Sequence, residues 1–112
     1  MLAKANRLTL KKDFAKVFEK GRSSFDGVLG IKILENDLKQ TRFGFLVGQK
    51  VSKKAVVRNK IKRRLRAIVR QKFPKIKDGF DVVVITLPPI ATQKYKDIEK
   101  SIANNFKKLQ LI

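Results

Sequence analysis

The sequence contains no cysteine and no histidine. Without cysteine, the chain can form neither a disulfide nor a thiolate metal site, and it has no thiol nucleophile. Histidine is the most common general base and metal ligand, so its absence removes the usual centre of a hydrolytic site. Acidic residues are also few, with nine Asp and Glu against 28 Lys and Arg. We therefore expect neither catalytic residues nor a metal or cofactor site in the protein itself.

Long apolar runs are missing as well. The clearest one, residues 82–85, is far too short to span a bilayer. The first seven residues, MLAKANR, lack the apolar stretch of a secretory signal peptide. These two observations predict a cytoplasmic protein.

The charge that is present has one dominant sign. The formal net charge is +19 over 112 residues, while the hydrophobic content of 43% is that of a folded chain. Such a surface repels itself until anions neutralise it, which indicates a polyanionic partner. Nucleic acid is the leading candidate, and an anionic membrane surface is the second. The length fits one domain, residues 1–112, which we expect to bind nucleic acid.

Hydrophobic periodicity predicts alternating helices and strands. Ser52 and Thr92 are plausible N-caps for the second and third helices, and Pro74 ends the second. A weaker pattern over residues 23–26 suggests an additional strand. The predicted elements are helices over 11–20, 52–72 and from 92 onward, and strands over 28–34, 42–47 and 80–87. This order, α-β-β-β-α-β-α, predicts an α+β sandwich with helices packed on one small sheet.

The second helix carries much of the charge. Residues 50–77 hold thirteen Lys or Arg and no acid. At about 100° per residue, one apolar arc forms from Val57, Ile61, Leu65, Ile68 and Val69. The opposite side carries Asn59, Lys62, Arg63, Arg66 and Arg70. A merely solvated face would normally include acids for i,i+4 pairs, so this face predicts nucleic-acid binding.

Two arginines do not fit this division of the helix. Arg64 projects near the apolar arc, where we expect its side chain to lie over the edge of the core. Arg58 projects near the arc in the first turns, and the helical wheel leaves its role open.

The stretch KVSKKAVVRNKIKRRLR, residues 50–66, resembles the signature of the bacterial ribonuclease P protein family. In that family a Lys-rich loop leads into a helix with an Arg-Asn-Arg core, followed by Lys-Arg and a further Arg. The segment DFAKVFEKG, residues 13–21, is similar to the family's first helix. Lys60 departs from the usual third Arg, which loses bidentate phosphate geometry but keeps the charge. Gln49 and Ala67 depart from the Lys and Glu that are frequent at their positions.

The resemblance implies a four-stranded sheet with three helices, in which the basic helix joins two parallel strands by a left-handed crossover. It also implies a ribonucleoprotein that hydrolyses a phosphodiester to mature the 5′ end of tRNA. The RNA supplies the active site with its Mg²⁺, and the protein binds that RNA and the 5′ leader of precursor tRNA. The residues expected to contact the catalytic RNA are Lys50, Lys53, Lys54, Arg58, Asn59, Lys60, Lys62, Arg63, Arg66 and Arg70. For Asn59, a local helix-to-loop hydrogen bond is an equal alternative.

A single-stranded leader needs aromatic rings with cations beside them. The family's leader cleft lies between the first helix and the sheet, which suggests Phe14 and Phe18 with Lys12, Lys16 and Lys32. From their spacing alone, Phe14 and Phe18 are better explained as core residues, and the resemblance makes the two interpretations about equal. The aromatic residue that the family carries on the sheet is replaced in this sequence near residues 30–32, so we do not expect base stacking at that position. The residues expected in the core are Phe43, Phe45, Phe80, Ile98, Ile102 and Phe106.

Other classes of protein would share some of these features. A ribosomal or other structural RNA-binding protein would carry the same charge without this motif spacing. A DNA-binding module needs a recognition helix in a dimer or beside a second module, and no second module is evident. A membrane-surface helix also places bulky apolar residues beside a basic face, but here the predicted strands cover them. We therefore expect neither DNA nor a membrane as the partner.

Overall fold

The computed structural model describes residues 2–112, which form three helices and four strands. The helices are α1 (Lys11–Lys20), α2 (Ala55–Lys72) and α3 (Tyr95–Lys108). The strands are β1 (Arg22–Phe25), β2 (Leu29–Glu35), β3 (Arg42–Leu46) and β4 (Phe80–Thr86). Short 3₁₀ turns lie at Lys4–Asn6, Phe73–Lys75 and Pro88–Thr92. This order confirms the predicted α+β fold, and the weak pattern before β2 does form a strand.

The strands form one mixed sheet in the order β1-β2-β4-β3. β2 pairs antiparallel with both β1 and β4, while β3 pairs parallel with β4. A parallel pair cannot be joined by a tight turn, and α2 supplies the crossover between β3 and β4. The four-stranded sheet and the parallel pair are as predicted, and the hand of the crossover stays a prediction.

The main core lies between one face of the sheet and the helices α2 and α3. Alternate residues of β2, namely Leu29, Ile31 and Ile33, are at most 1% exposed. At the end nearer α2, the ring of Phe43 lies 5.8 Å from that of Phe73 and 6.2 Å from that of Phe106. The predicted core residues that are fully buried are Phe43, Ile98, Ile102 and Phe106. Phe45 and Phe80 are only half-buried, because both lie at the margin of this core.

The opposite face of the sheet is only partly covered. There α1 packs through Val17 in a small cluster with Leu8 and Val83. The ring of Phe14 lies against Gly44, where an added Cβ would overlap it. The part of this face beyond α1 leaves Phe25 and Leu46 exposed. One sheet face is therefore core, and the other is partly open to solvent.

The predicted N-caps of α2 and α3 are wrong, and both helices begin three residues further on. The N-cap of α2 is Lys54, and the Ser52 hydroxyl instead accepts the backbone N–H of Lys54 at 3.2 Å. The N-cap of α3 is Lys94, and the Thr92 hydroxyl donates to the Pro89 carbonyl at 3.2 Å. Both hydroxyls are engaged in turns before the helices, a competing use of short polar side chains.

Candidate nucleic-acid interface

Very few of the basic side chains are neutralised within the protein. Within residues 2–112, the salt bridges all involve Arg42, which pairs with Asp81 at 2.7 Å and with Asp13 at 3.5 Å. Hydrogen bonding to Asp81 raises the pKa of Arg42, against the smaller opposing effect of burial. The other lysines and arginines therefore keep their charge available for an external anion.

Helix α2 carries eight of these cations, and several of them are exposed on one side. It buries Ile61, Leu65, Ile68 and Val69 in the core, as the apolar arc predicted. The motif residues that are exposed are Asn59, Lys60, Arg63, Arg66 and Arg70, while Lys62 is half-buried. Arg63, Arg66 and Arg70 line a shallow depression along the helix. The structure thus brings Arg63, Arg66 and Arg70 together on one surface.

The loop before α2 continues the charged surface. Lys50, Lys53 and Lys54 are all exposed. Arg58 donates from Nη1 to the Ser52 carbonyl at 3.0 Å, so it ties this loop to the first turn of α2. The remaining guanidinium donors of Arg58 stay available, and its contact with RNA stays a prediction.

The motif residue Asn59 behaves differently from Arg58. Its side chain is exposed and makes no hydrogen bond to any other residue between 2 and 112. The alternative of a helix-to-loop bond is therefore not realised in this structure.

An aromatic site lies where α1 crosses the open sheet face. The ring of Phe18 is 41% exposed, and the ammonium group of Lys32 lies 5.4 Å from its centroid. Lys32 also donates to the Phe18 carbonyl at 3.4 Å. Lys12 and Lys16 are exposed on the same helix. Phe14 is half-buried against Gly44, so of the two rings Phe18 is the more available to a ligand.

A groove lies beside β3, between α1 and α2. It has a volume of about 320 Å³, and Phe14 of α1 and Arg66 of α2 both line it. Arg7 lines it as well, although its role was not predicted from the sequence. The N-terminal segment lies along β3, where the Leu8 N–H donates to the Phe43 carbonyl at 2.8 Å. Helices α1 and α2 therefore approach each other around the β3 edge of the sheet.

No helix between residues 2 and 112 is long and apolar enough to cross a membrane. Within the same range, no three His, Cys, Asp or Glu side chains are grouped so that they could hold a metal ion.

A helix with uncompensated cations on one face of an α+β sheet, together with an exposed aromatic ring and a cation on the other face, defines a nucleic-acid-binding protein. Comparison with known families makes the class specific. The sequence profile of the family described as Ribonuclease P matches residues 2–110. The chain therefore belongs to the ribonuclease P protein family, as the motif in residues 50–66 predicted.

Individual relatives agree with this assignment. The ribonuclease P protein component of Pseudanabaena sp. is 39% identical, and the alignment covers all of this chain and 97% of the relative. The solved RNase P protein of Staphylococcus aureus is 28% identical with a TM-score of 0.89, covering 96% of this chain and 98% of that one. The protein from Thermotoga maritima is 30% identical with a TM-score of 0.80, covering 88% and 92%. These likenesses confirm the fold as well as the family.

Proposed function

We propose that this protein binds the catalytic RNA of ribonuclease P with α2 and its leading loop, and the 5′ leader of precursor tRNA with the face between α1 and the sheet. The observation that carries the proposal is the side of α2 whose cations have no acidic partner. Catalytic RNA and tRNA are both polyanions, and each neutralised phosphate releases counterions and favours binding.

Arginine chemistry favours α2 for the structured catalytic RNA. Arg63, Arg66 and Arg70 are exposed on consecutive turns, and the planar guanidinium group can donate to two phosphate oxygens at once. The residues that we place against the catalytic RNA are Lys50, Lys53, Lys54, Arg58, Asn59, Lys60, Lys62, Arg63, Arg66 and Arg70.

The leader is single-stranded, so its bases are free to stack. The exposed ring of Phe18 with the ammonium of Lys32 beside it supplies a stacking surface and a charge for the adjacent backbone. The residues that we place around the leader are Lys12, Phe14, Lys16, Phe18 and Lys32. Phe14 contributes mainly by holding α1 on the sheet at Gly44.

We place the catalytic centre in the RNA, with Mg²⁺ bound there. The absence of His and Cys from the sequence supports this division, because the protein lacks the usual general base and thiol nucleophile. The protein's part is to neutralise phosphates and to hold the leader of a precursor tRNA. We place this 5′-end maturation of tRNA in the cytoplasm. A ribosomal or other structural RNA-binding role is not favoured, because the family profile and the named relatives agree on ribonuclease P.

A reconstitution assay tests the proposal. The protein is added to a bacterial ribonuclease P RNA and precursor tRNA at low magnesium, where phosphate repulsion limits the RNA alone. We expect the protein to increase cleavage at the mature 5′ end, while an unrelated basic protein of similar charge serves as the control. RNA-free protein with precursor tRNA and magnesium should give no cleavage. Specific cleavage at the mature 5′ end by the RNA-free protein would contradict the proposal. Failure of the protein to increase cleavage by the catalytic RNA would also contradict it.

A further inference from the structure

Strand β1 places an aromatic ring over a glycine of its neighbour. Phe25 is the cross-strand partner of Gly30 in β2. A Cβ added to Gly30 would overlap three consecutive ring carbons of Phe25, Cδ2, Cε2 and Cζ, at similar distances from each. A point so placed lies over the face of a ring and not at its edge. One face of Phe25 therefore covers the backbone of Gly30, which is buried.

The other face of this ring is available to a ligand. Phe25 is 46% exposed although it packs on β2. Directly opposite residues of paired strands project on the same side, and the pairing continues from Gly30 to Ile85 and from Ile85 to Leu46. Ile85 is half-buried and Leu46 is 37% exposed. Phe25 thus heads an apolar row across the open face of the sheet.

This row lies next to the pair formed by Phe18 and Lys32. Lys32 follows Gly30 by two residues, so both project on the same face of β2, about 7 Å apart. The exposed rings of Phe18 and Phe25 consequently flank the same stretch of β2, with the Lys32 ammonium on the Phe18 side. Two aromatic surfaces and a cation on one open face suit successive bases of a single strand.

The turn after Phe25 is held firmly. The Asp26 carboxylate accepts the N–H groups of Val28 and Leu29 at 2.8 and 3.0 Å. Its second oxygen accepts hydrogen bonds from Ser101 and Asn105 of α3. Because the residue next to Phe25 is fixed to both β2 and α3, little conformational freedom of the backbone is lost when a ligand meets the ring.

We propose that Phe25 stacks against a base of the precursor tRNA leader, on the open sheet face next to the base that meets Phe18. β1 then provides the aromatic surface at Gly30, where β2 itself has no side chain. This inference rests on the proposed function of that face, and it adds a substrate-contacting residue outside the motif and outside α1.

The ring also shields Gly30, so the test must separate packing from stacking. Phe25→Leu keeps an apolar side chain over Gly30 but removes the aromatic face, and Phe25→Ala removes both. The double variant F25A/G30Y returns an aromatic ring to the same place from β2, where the smaller residue 25 leaves room for it. Thermal unfolding of each variant identifies those that keep the fold.

The assay measures affinity of the holoenzyme, assembled on a bacterial catalytic RNA, for precursor tRNA and for mature tRNA. We expect F25L to lose about 5- to 150-fold in precursor affinity, the range for one base–aromatic stack, with mature tRNA unaffected. F25A/G30Y should recover part of that loss. With leaders that carry one abasic position at a time, the position that contacts Phe25 should weaken wild-type binding but have no further effect on F25L.

The outcomes separate this inference from the function on which it rests. If the wild-type protein gives no preference for precursor over mature tRNA, the leader-binding function itself fails. If the wild type shows the preference, F18A loses it and F25L retains all of it, the role of Phe25 alone is overturned. An equal loss for precursor and mature tRNA in F25L would also overturn it, because the leader would then not be the group that the ring meets.

Discussion

Removing three cations from one side of α2 should change how RNA binding depends on salt. The variant K62A/R66A/R70A takes away side chains that are spaced by one helical turn and have no ion-pair partner within residues 2–112. Arg66 and Arg70 are exposed and Lys62 is half-buried, so none belongs to the core. Alanine is the best helix former, and α2 should therefore persist.

The size of the effect follows from counterion release. Each lost phosphate contact lowers the slope of log affinity against log salt by about 0.7 for single strands and 0.9 for duplex. Three contacts then lower the slope by about 2.1 to 2.7. The ratio of wild-type affinity to variant affinity for the catalytic RNA should consequently fall about 20- to 40-fold as the salt concentration rises from 50 to 200 mM.

The assay is a titration of labelled catalytic RNA with protein at several salt concentrations. A matched control, K96A/K100A/K107A, removes the same charge from exposed positions of α3. We expect the control to keep nearly the wild-type slope, because these lysines lie outside the proposed surface. An unchanged slope in the folded α2 variant would refute the reasoning, and so would an equal drop in the α3 control.

Two further predictions concern the open sheet face and the turn beside it. Phe18→Ala should cost little stability and weaken only the binding of precursor tRNA, whereas Phe14→Ala should lower the free energy of unfolding by much of the about 3–5 kcal/mol that a core phenylalanine contributes. Denaturant unfolding and the affinities for precursor and mature tRNA test this pair, and equal destabilisation by the two variants would contradict it. Burial raises the pKa of Asp26, but hydrogen bonds from Ser101, Leu29, Val28 and Asn105 together outweigh it and lower that pKa. The carboxylate therefore adds stability above its unfolded pKa of about 3.9, which is lost as pH falls through the folded value. The stability gap between wild type and Asp26→Asn should narrow below about pH 4 in urea unfolding, and a constant gap would count against this role.

Much of the fold was predictable because its elements carry strong local signals. The apolar arc of α2 from Val57 to Val69 and the alternation of Leu29, Ile31 and Ile33 are direct consequences of helix and strand geometry. β1 gave a weak pattern, since an edge strand of sequence RSSF has little apolar alternation. The predicted caps were wrong because the hydroxyls of Ser52 and Thr92 form hydrogen bonds within the turns that precede the helices.

The candidate site was predictable only where it is local in sequence. The cations of α2 lie within one helix, so their common side follows from its period. Phe25 depends on the register of two strands, and only the pairing with Gly30 reveals it. Arg7 likewise enters the groove through the bridge between the N-terminal segment and β3. The exposure of Phe18 relative to Phe14 depends on Gly44, which is thirty residues from Phe14 in sequence.

The crossover through α2 also affects the folding rate of the protein and the local unfolding that exposes its amides to solvent. β3 and β4 pair only after the chain closes a loop over residues 47–79, and that loop contains α2. Contacts between such distant segments slow folding, and the repulsion among the helix cations opposes the closure further. The cationic helix is thus the covalent connection between the two paired strands. Because it buries Leu65 and Ile68 in the central core, its interior amides should exchange with solvent as slowly as those of β4.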